Sequence, residues 1–502
     1  MHEYSTLAAV DLGSNSFHLQ VARVEQRQLY PLDSLKEMVQ LAAGLSEDLI
    51  LDETSQNRAL ACLEQFGERL RGLPQHAVRV VGTNSLRVAK NSAEFLQKAR
   101  KALGFPIEII AGYEEARLIF LGVAHGLPPS DEALLVVDIG GGSTEFIIGS
   151  QLRARKLESL PIGCISHSQA FFPDGKITKA SLKQAELAAR SEIQAATSEF
   201  SATHWQKAYG SSGTARALAH ILALNGYNNG NEEATIITRT GLEKLRDYLL
   251  KQGDLNKLSI PGLNPNRRII IAGGFAIMHA IFTELKIEKM EISNGALRQG
   301  VLYDMLGRFH KEDMRDISVQ EFMQRYRVDQ QQAARIEALA ILFGKQLLVD
   351  YSDKEETENA LKLLSWAASM HEIGISVAHT SYHKHSAYIL DNADIPGFSR
   401  MEQFELSQLV LSHRGSLAKN KCFFSQPINL ARSLALRFAT IFYRSRTHID
   451  LPAMTLSLNG KHCTLCIPSS WLENHPLTAT LLNNEIKLWE KVNIDLHIKN
   501  IN

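Results

Sequence analysis

The chain has 502 residues, of which 45% are hydrophobic and 22% charged, and its 54 basic and 54 acidic side chains give a formal net charge of zero. This length predicts several domains, and the composition is that of an ordinary globular protein, which argues against a disordered or fibrous chain. Because the net charge is zero, any attraction for a polyanion must come from local clustering of basic residues.

The N-terminal segment lacks the charged and apolar regions of a leader, and no apolar run approaches the length of a membrane span. We therefore expect a cytoplasmic protein without a transmembrane segment. A peripheral association with a membrane surface is left open.

The predicted elements of residues 1–128 alternate between strand and helix. Apolar strands flank the small-residue loop that follows Asp11. The pattern then predicts a helix at 54–71, a strand at 77–81, a helix at 92–103, a strand at 107–110 and a helix at 114–124. The segment Pro128-Pro129-Ser130 is typical of a linker.

A similar pattern restarts at residue 133. Strands flank the loop that follows Asp138, and an Ala-rich helix is predicted at 181–200. Two further small-residue loops, at 210–214 and 269–274, are expected at strand ends, where the ligands of α/β domains bind.

Long helices are predicted from about 306 to 450. The last fifty residues read as a small α+β unit, with strands at 454–458, 462–467 and 494–498 and a helix at 477–492. We therefore predict four domains, at residues 1–128, 129–305, 306–450 and 451–502.

The loops headed by Asp11 and Asp138 have the same order of Asp, Gly and Ser between two strands. The backbone N–H groups of such a turn can bind an oxyanion, and the glycines let phosphate approach closely. An aspartate at the head of the loop suits phosphate only if a divalent cation lies between them. A plain hairpin turn would explain one such loop, but the repeat indicates a duplicated domain with a metal–phosphate cleft.

Five motifs resemble, in this order, those of the exopolyphosphatase and guanosine pentaphosphate phosphohydrolase (Ppx/GppA) family of the actin-like superfamily. They are DLGSNSF (11–17), GTNSLR (82–87), GYEEAR (112–117), DIGGGSTE (138–145) and GSSGT (210–214). In the helical region, MHEIG (370–374) and HKHSAYIL (383–390) resemble the HD-like third domain of its long bacterial members. The resemblance implies two actin-like (ribonuclease H-like) α/β domains with a cleft between them, then an all-α HD-like domain and a small α+β domain. It also implies a homodimer.

The site residues follow from this resemblance and from the needs of phosphoanhydride hydrolysis. Asp11, Asp138 and Glu145 are expected to bind Mg²⁺ directly or through water, since hard carboxylate oxygens suit that ion. A monovalent cation such as K⁺ is a further candidate. The residues expected to hold phosphate are Gly13, Ser14, Asn15, Ser16, Thr83, Asn84, Gly140, Gly141, Gly142, Ser143, Thr144, Gly210, Ser211, Ser212 and Gly213.

Glu115 is the candidate general base, and Arg87 is the candidate ligand of a non-bridging phosphate oxygen. A glutamate in a first helical turn also complements the helix dipole, and Glu114 fits that role equally. The resemblance aligns Glu115 with the catalytic glutamate of the family and places an arginine at position 87.

Residues 406–449 contain no Asp or Glu but seven Lys or Arg. A solvated helix face is the common explanation of such a run, yet the complete absence of acids favours a track for a long polyanion. Binding along it would weaken steeply with salt. The residues expected to hold a polyphosphate tail are Arg414, Lys419, Lys421, Arg432, Arg437, Arg444 and Arg446.

His371 is followed by Glu372, whereas the HD superfamily has a metal-binding His-Asp pair. His379, His383 and His385 lie nearby in the sequence, so a metal is left open. We interpret this domain as a degenerate HD fold that serves polyanion binding or architecture.

These features together predict a Mg²⁺-dependent exopolyphosphatase that processively removes orthophosphate from linear inorganic polyphosphate, without nucleic acid. The first alternative is removal of the terminal phosphate of guanosine pentaphosphate, and both activities can coexist. A small-molecule kinase of the same superfamily is more distant, since the basic helical domain has no obvious use there. A non-catalytic nucleotide-binding or chaperone-like protein would not need Glu115, Arg87 and both Asp-headed loops.

Overall fold

The computed structural model describes residues 6–25, 28–128, 130–228, 235–309, 313–349, 351 and 353–501. The chain forms two compact units, Met1–Asp313 and Met314–Asn502. None of the helices within the described ranges combines the length and apolar character that a membrane span requires. Pro129 of the predicted linker lies outside the described residues, and the four predicted domains stay a prediction.

The first unit begins with five strands and four helices. The strands are β1 (Thr6–Leu12), β2 (Phe17–Glu25), β3 (Gln28–Glu37), β4 (Val78–Gly82) and β5 (Ile107–Ile109), and the helices are α1 (Glu53–Leu70), α2 (Asn84–Val88), α3 (Ser92–Leu103) and α4 (Gly112–His125). The sheet order is β3-β2-β1-β4-β5. Because β1 runs parallel to β4, the β1–β2 loop and the end of β4 meet at one edge of the sheet.

The same unit contains a second sheet, of six strands. Its strands are β6 (Leu134–Ile139), β7 (Thr144–Ser150), β8 (Arg153–Leu160), β9 (Lys207–Gly210), β10 (Ile236–Thr238) and β11 (Lys289–Ile292), and its helices are α5 (Cys164–Phe171), α6 (Lys179–Gln194), α7 (Gly213–Leu224), α8 (Arg239–Gln252), α9 (Ile271–Glu284) and α10 (Leu297–Phe309). The sheet order is β10-β11-β9-β6-β7-β8.

The two sheets repeat one topology. β6 pairs antiparallel with β7 and parallel with β9, just as β1 pairs with β2 and β4. Asp11 lies opposite His18 in the first hairpin, and Asp138 lies opposite Glu145 in the second. The predicted internal duplication is therefore confirmed, and it places Asp11 and Asp138 at equivalent strand ends.

The element type predicted for the segment 269–274 was wrong. A strand end was expected there, but residues 265–270 form a 3₁₀ turn and residues 271–284 form α9. Almost every side chain of α9 is buried, including Phe275 and Ile277. A helix that is apolar all round lacks the periodicity that separates it from a buried strand.

Helices α4 and α10 pack in one apolar core with residues of both sheets. This core contains Leu7 of β1 and Val136 of β6 beside Phe120 of α4 and Val301 of α10. Each helix therefore begins close to the strand ends that carry the Asp-headed loops.

The described residues of the second unit form six α-helices followed by a small α+β segment, as predicted. Its elements are α11 (Met314–Arg325), α12 (Gln330–Leu347), α13 (Lys354–Met370), α14 (Tyr382–Asn392), α15 (Arg400–Ser412), α16 (Pro427–Phe442), β12 (Thr455–Asn459), β13 (His462–Pro468), α17 (Ser469–Asn474), α18 (Pro476–Glu490) and β14 (Asp495–Ile501). One core joins the helices, through Phe343 and Phe438, to Cys463 and Trp489 of the last segment.

Candidate active site

Loops at the ends of β1, β4, β6 and β9 line one cavity of about 150 Å³ in the first unit. Parallel pairing of β1 with β4, and of β6 with β9, brings these loops together. The predicted phosphate-binding residues that line the cavity are Gly13, Ser14, Asn15, Ser16, Thr83, Gly140, Gly141, Ser143, Ser211, Ser212 and Gly213.

The two Asp-headed loops are in direct contact. A β-carbon placed on Gly141 would lie 2.9 Å from Cβ of Ser14 and 3.5 Å from the backbone nitrogen of Asn15. Such short distances are accepted only by glycine, so the second loop can approach the first closely. The backbone amides of both loops therefore border one small space that suits an oxyanion.

Four predicted phosphate-binding residues do not line the cavity. Gly210 ends strand β9, and the Thr144 hydroxyl is buried and donates to the carbonyl of Ile162 at 2.6 Å. Asn84 lies against Gly142, where its amide oxygen would be 2.6 Å from an added β-carbon. These four residues lie in or beside the loops without lining the cavity.

Three carboxylates border the cavity, those of Asp11, Glu115 and Asp138. Burial raises the pKa of Asp11 to about 6, with a further rise from Asp138 and an opposing effect of Arg298. Burial also raises the pKa of Asp138, although the Ser211 hydroxyl donates to its Oδ2 at 2.6 Å. Oδ1 of Asp11 is buried without a hydrogen-bond partner.

Glu115 projects from the first turn of α4. Its pKa is raised to about 7, mainly by burial and also by the negative charges of Asp11 and Asp138, against the opposing effect of Arg87. A carboxylate with a pKa near neutrality is a far better proton acceptor than an ordinary glutamate. The predicted base therefore lies in the cavity with suitable electrostatics.

Glu145 does not line the cavity, although it was predicted as a metal ligand. It is fully buried in β7 and accepts a hydrogen bond from the Ser159 hydroxyl at 2.9 Å. Burial raises its pKa well above the usual range, and Glu115 and Asp138 raise it further. It therefore interacts electrostatically with Glu115 and Asp138 from outside the cavity lining.

Four basic side chains border the same cavity and were missed in the sequence: Lys36, Arg216, Arg267 and Arg298. They belong to four separate elements, so no local run of basic residues in the sequence indicates them. Arg216 follows the loop 210–214 by two residues, which is the only sequence signal. Burial lowers the pKa of Arg267 and of Arg298, as expected for cations held away from water.

His18 also borders the cavity and lies beside these cations. Burial lowers its pKa to about 2, with further lowering by Arg298, Lys36, Arg216 and Arg267. The imidazole is therefore neutral. The cavity is thus bordered both by carboxylates, among them Asp11 and Glu115, and by cations, among them Arg267 and Lys36.

The carboxylates that border the cavity fit a magnesium ion. Within the described ranges, no three His, Cys, Asp or Glu side chains are arranged to hold a metal ion by themselves. Mg²⁺ does not need such a set, because it is commonly bound by one or two carboxylates together with water and substrate phosphate. The unpartnered Oδ1 of Asp11 and the raised pKa of Asp11 and Asp138 are what a cation would relieve.

The predicted polyphosphate track in residues 406–449 requires correction at two positions. Arg432 is buried and pairs with Glu405 at 2.7 Å, and Arg437 is buried and forms a two-pronged pair with Glu485. The acids come from outside the acid-free segment, so the sequence run overstates the surface charge. Neither arginine can contact a substrate in solvent.

The other basic residues of that segment differ in their surroundings. Arg446 pairs with Glu372 at 2.7 Å and with Asp329 at 3.3 Å, and Arg414 stacks 4.7 Å from the ring centre of Tyr382. Lys419, Lys421 and Arg444 are exposed. These three are what remains of the predicted track as a free surface.

The His371 region is a packed cluster. The rings of His371 and His413 lie 5.2 Å apart and perpendicular, and each Nδ1 donates to a backbone carbonyl, of Ala368 and Val410 respectively. Burial lowers the pKa of both imidazoles. Both oxygens of Glu372 accept from Arg446, at 2.7 Å and 2.9 Å.

Comparisons with known proteins agree with this geometry. A family model described as "Ppx/GppA phosphatase family" matches residues 20–309. A second, described as "Ppx/GppA phosphatase, domain III", matches residues 314–486. A guanosine-5'-triphosphate,3'-diphosphate pyrophosphatase of Pseudoalteromonas translucida (strain TAC 125) is 37% identical over 489 residues, which are 97% of this chain and 96% of that protein.

Two solved structures resemble somewhat more than half of the chain. The Aquifex aeolicus PPX-GPPA enzyme is 26% identical with a TM-score of 0.50, over 59% of this chain and 98% of its own. An exopolyphosphatase of Cytophaga hutchinsonii ATCC 33406 is 24% identical with a TM-score of 0.54, over 60% and 98%, and this likeness concerns the fold alone. The expected actin-like pair of α/β domains followed by a helical region is thus confirmed.

Proposed function

The chain belongs to the Ppx/GppA phosphatase family, and we propose that it hydrolyses the terminal phosphoanhydride bond of a phosphate chain bound in the cavity. One observation carries the proposal: Glu115, with a pKa near 7, lies in the same small cavity as the amides of two glycine-rich loops. The loops would hold the terminal phosphate, and Glu115 would align and deprotonate the attacking water.

The reaction uses both the carboxylates and the cations of the cavity. Water forms a bond to the terminal phosphorus, its proton passes to Glu115, and the bridging P–O bond breaks. Mg²⁺ held by Asp11 and Asp138 would neutralise charge on the phosphate oxygens. Arg298 and Arg267 would stabilise the negative charge of the departing chain.

Guanosine pentaphosphate is the substrate we propose first. The relative that bears this specificity in its name matches nearly the whole chain, including the second unit. The corrected basic segment also weakens the reason for preferring a long polymer, because Arg432 and Arg437 are buried in ion pairs.

Linear polyphosphate is the second candidate, and one observation favours it. Among the described residues that line the cavity there is no Phe, Tyr or Trp on which a guanine ring could stack. Oxygen-rich phosphate needs only the amides and cations that the cavity offers.

Orthophosphate release from the two substrates tests the proposal. The full chain is assayed with guanosine pentaphosphate and with long-chain polyphosphate at equal phosphate-group concentration, with Mg²⁺ and K⁺ varied separately. Release that is abolished by EDTA and restored by Mg²⁺ is expected for at least one substrate. No release from either would refute the proposal.

Light scattering of the same sample tests the homodimer that the family resemblance implies.

A further inference from the structure

A buried ion network lies directly behind the proposed base. Arg117 of α4 forms a two-pronged pair with Glu114, at 2.7 Å and 2.8 Å, and also contacts Asp304 of α10 at 2.6 Å. Arg79 of β4 contacts the other oxygen of Asp304 at 2.7 Å. All four side chains are at least nine-tenths buried. Ions taken so fully out of water need their partners to be held in good geometry.

This network anchors the first turn of α4, from which Glu115 projects. The residue before the helix is Ala111, which has no side chain that could cap the helix. Glu114 and Arg117 tie the turn to α10 instead. Since Glu115 is next to Glu114, any shift of this turn moves the base.

The α4–α10 contact is also unusually close. A β-carbon on Gly122 would overlap the carbonyl of Ala296, just before α10, and one on Gly300 would overlap the carbonyl of Leu118 in α4. Arg298, which borders the cavity, lies between the contacts at Ala296 and Gly300, and Asp304 follows on α10. The two helices thus set the position of Glu115 relative to Arg298.

We propose that Arg117 and Asp304 are positioning residues, which fix Glu115 of α4 against the cavity groups of α10 without touching substrate. This inference rests on the proposed phosphohydrolase function. A displacement of about 1 Å at a reacting group can cost about a hundredfold in rate. The network should therefore influence kcat more than substrate binding, because neither Asp-headed loop contributes a side chain to it.

The chain offers a matched control. Arg246 of α8 forms the same kind of fork with Glu186 of α6, at 2.7 Å and 3.0 Å, and neither residue lines the cavity. Arg117→Lys and Arg246→Lys both keep the charge and remove the fork. Each variant is assayed below its own thermal midpoint, with the substrate that the wild-type protein hydrolyses best.

Arg117→Lys is expected to lower kcat by about tenfold to a hundredfold with little change in KM, and Arg246→Lys to leave both nearly unchanged. Equal losses in the two variants, or a raised KM with kcat intact, would overturn the inference. If Arg117→Lys does not fold, Asp304→Asn, which keeps the size of the side chain and removes the charge that Arg117 contacts, is judged by the same criterion. An inactive wild-type protein would instead refute the proposed function.

Discussion

Arg87 donates from Nη1 to Oε2 of Glu115 at 3.2 Å and from the same nitrogen to the carbonyl of Ile110 at 2.8 Å. The arginine is thereby fixed to the backbone just before α4 and orients the proposed base. It also opposes the rise in the pKa of Glu115. Arg87 does not line the cavity, so its proposed contact with phosphate stays a prediction.

Glu115→Gln should lower kcat by at least about a hundredfold, because the amide cannot accept the proton of the attacking water. Substrate binding should persist, since the amides and cations of the cavity are untouched. Orthophosphate release and equilibrium binding of substrate are measured on the same preparation. Glu186→Gln, which removes another glutamate from an arginine pair, serves as control. Comparable loss of binding and turnover would show that Glu115 has a structural role.

The same variant should change the pH dependence of stability. The pKa of Glu115 is about 7 in the folded protein and near 4.5 when exposed, so the folded state holds more protons between these values. The free energy of unfolding of the metal-free protein therefore falls as pH rises through this window. Glu115→Gln removes that loss and should be more stable than wild type at pH 8, by up to about 3 kcal/mol.

Denaturant unfolding in EDTA at about pH 5 and about pH 8 measures this difference. At the lower pH the two proteins should have similar stability, because Glu115 holds its proton in most folded molecules. Glu94→Gln, at an exposed position, is the control. Equal stability of wild type and Glu115→Gln at both pH values would contradict the raised pKa.

The sequence predicted the parts of the site that are continuous motifs, and it missed the parts that come from separate elements. The loops at Asp11 and Asp138 were found because each is a continuous motif between two strands. Lys36, Arg267 and Arg298 were missed, since only the folding of separate elements brings them to one cavity. Arg437 was misassigned for the opposite reason: its partner Glu485 lies 48 residues away, outside the run that was counted. Charge patterns in a sequence report composition, whereas a surface depends on tertiary pairing.

Arg267→Gln should weaken phosphate-chain binding. Arg267 borders the cavity, whereas the adjacent Arg268 donates to the carbonyl of Asn256 and does not line it. We expect KM to rise by about tenfold in Arg267→Gln, the effect of one lost charge-assisted hydrogen bond, and to change little in Arg268→Gln. The salt dependence of KM should be shallower in the first variant only. A similar effect of both substitutions would show that the turn, and not the cation in the cavity, matters.

The remaining exposed part of the basic segment gives a test of the polyphosphate alternative. Lys419 and Lys421 are exposed, so reversing both charges to Glu should leave the fold intact, unlike reversal at the buried Arg432 or Arg437. If a polymer lies over this surface, KM for long chains should rise more than KM for short chains, and the difference should vanish at high salt. Reversal of Lys487 and Lys491, exposed in the same unit, controls for net charge. Equal effects on long and short chains would remove the track and leave guanosine pentaphosphate, the substrate proposed first, because a compact substrate has no tail to hold.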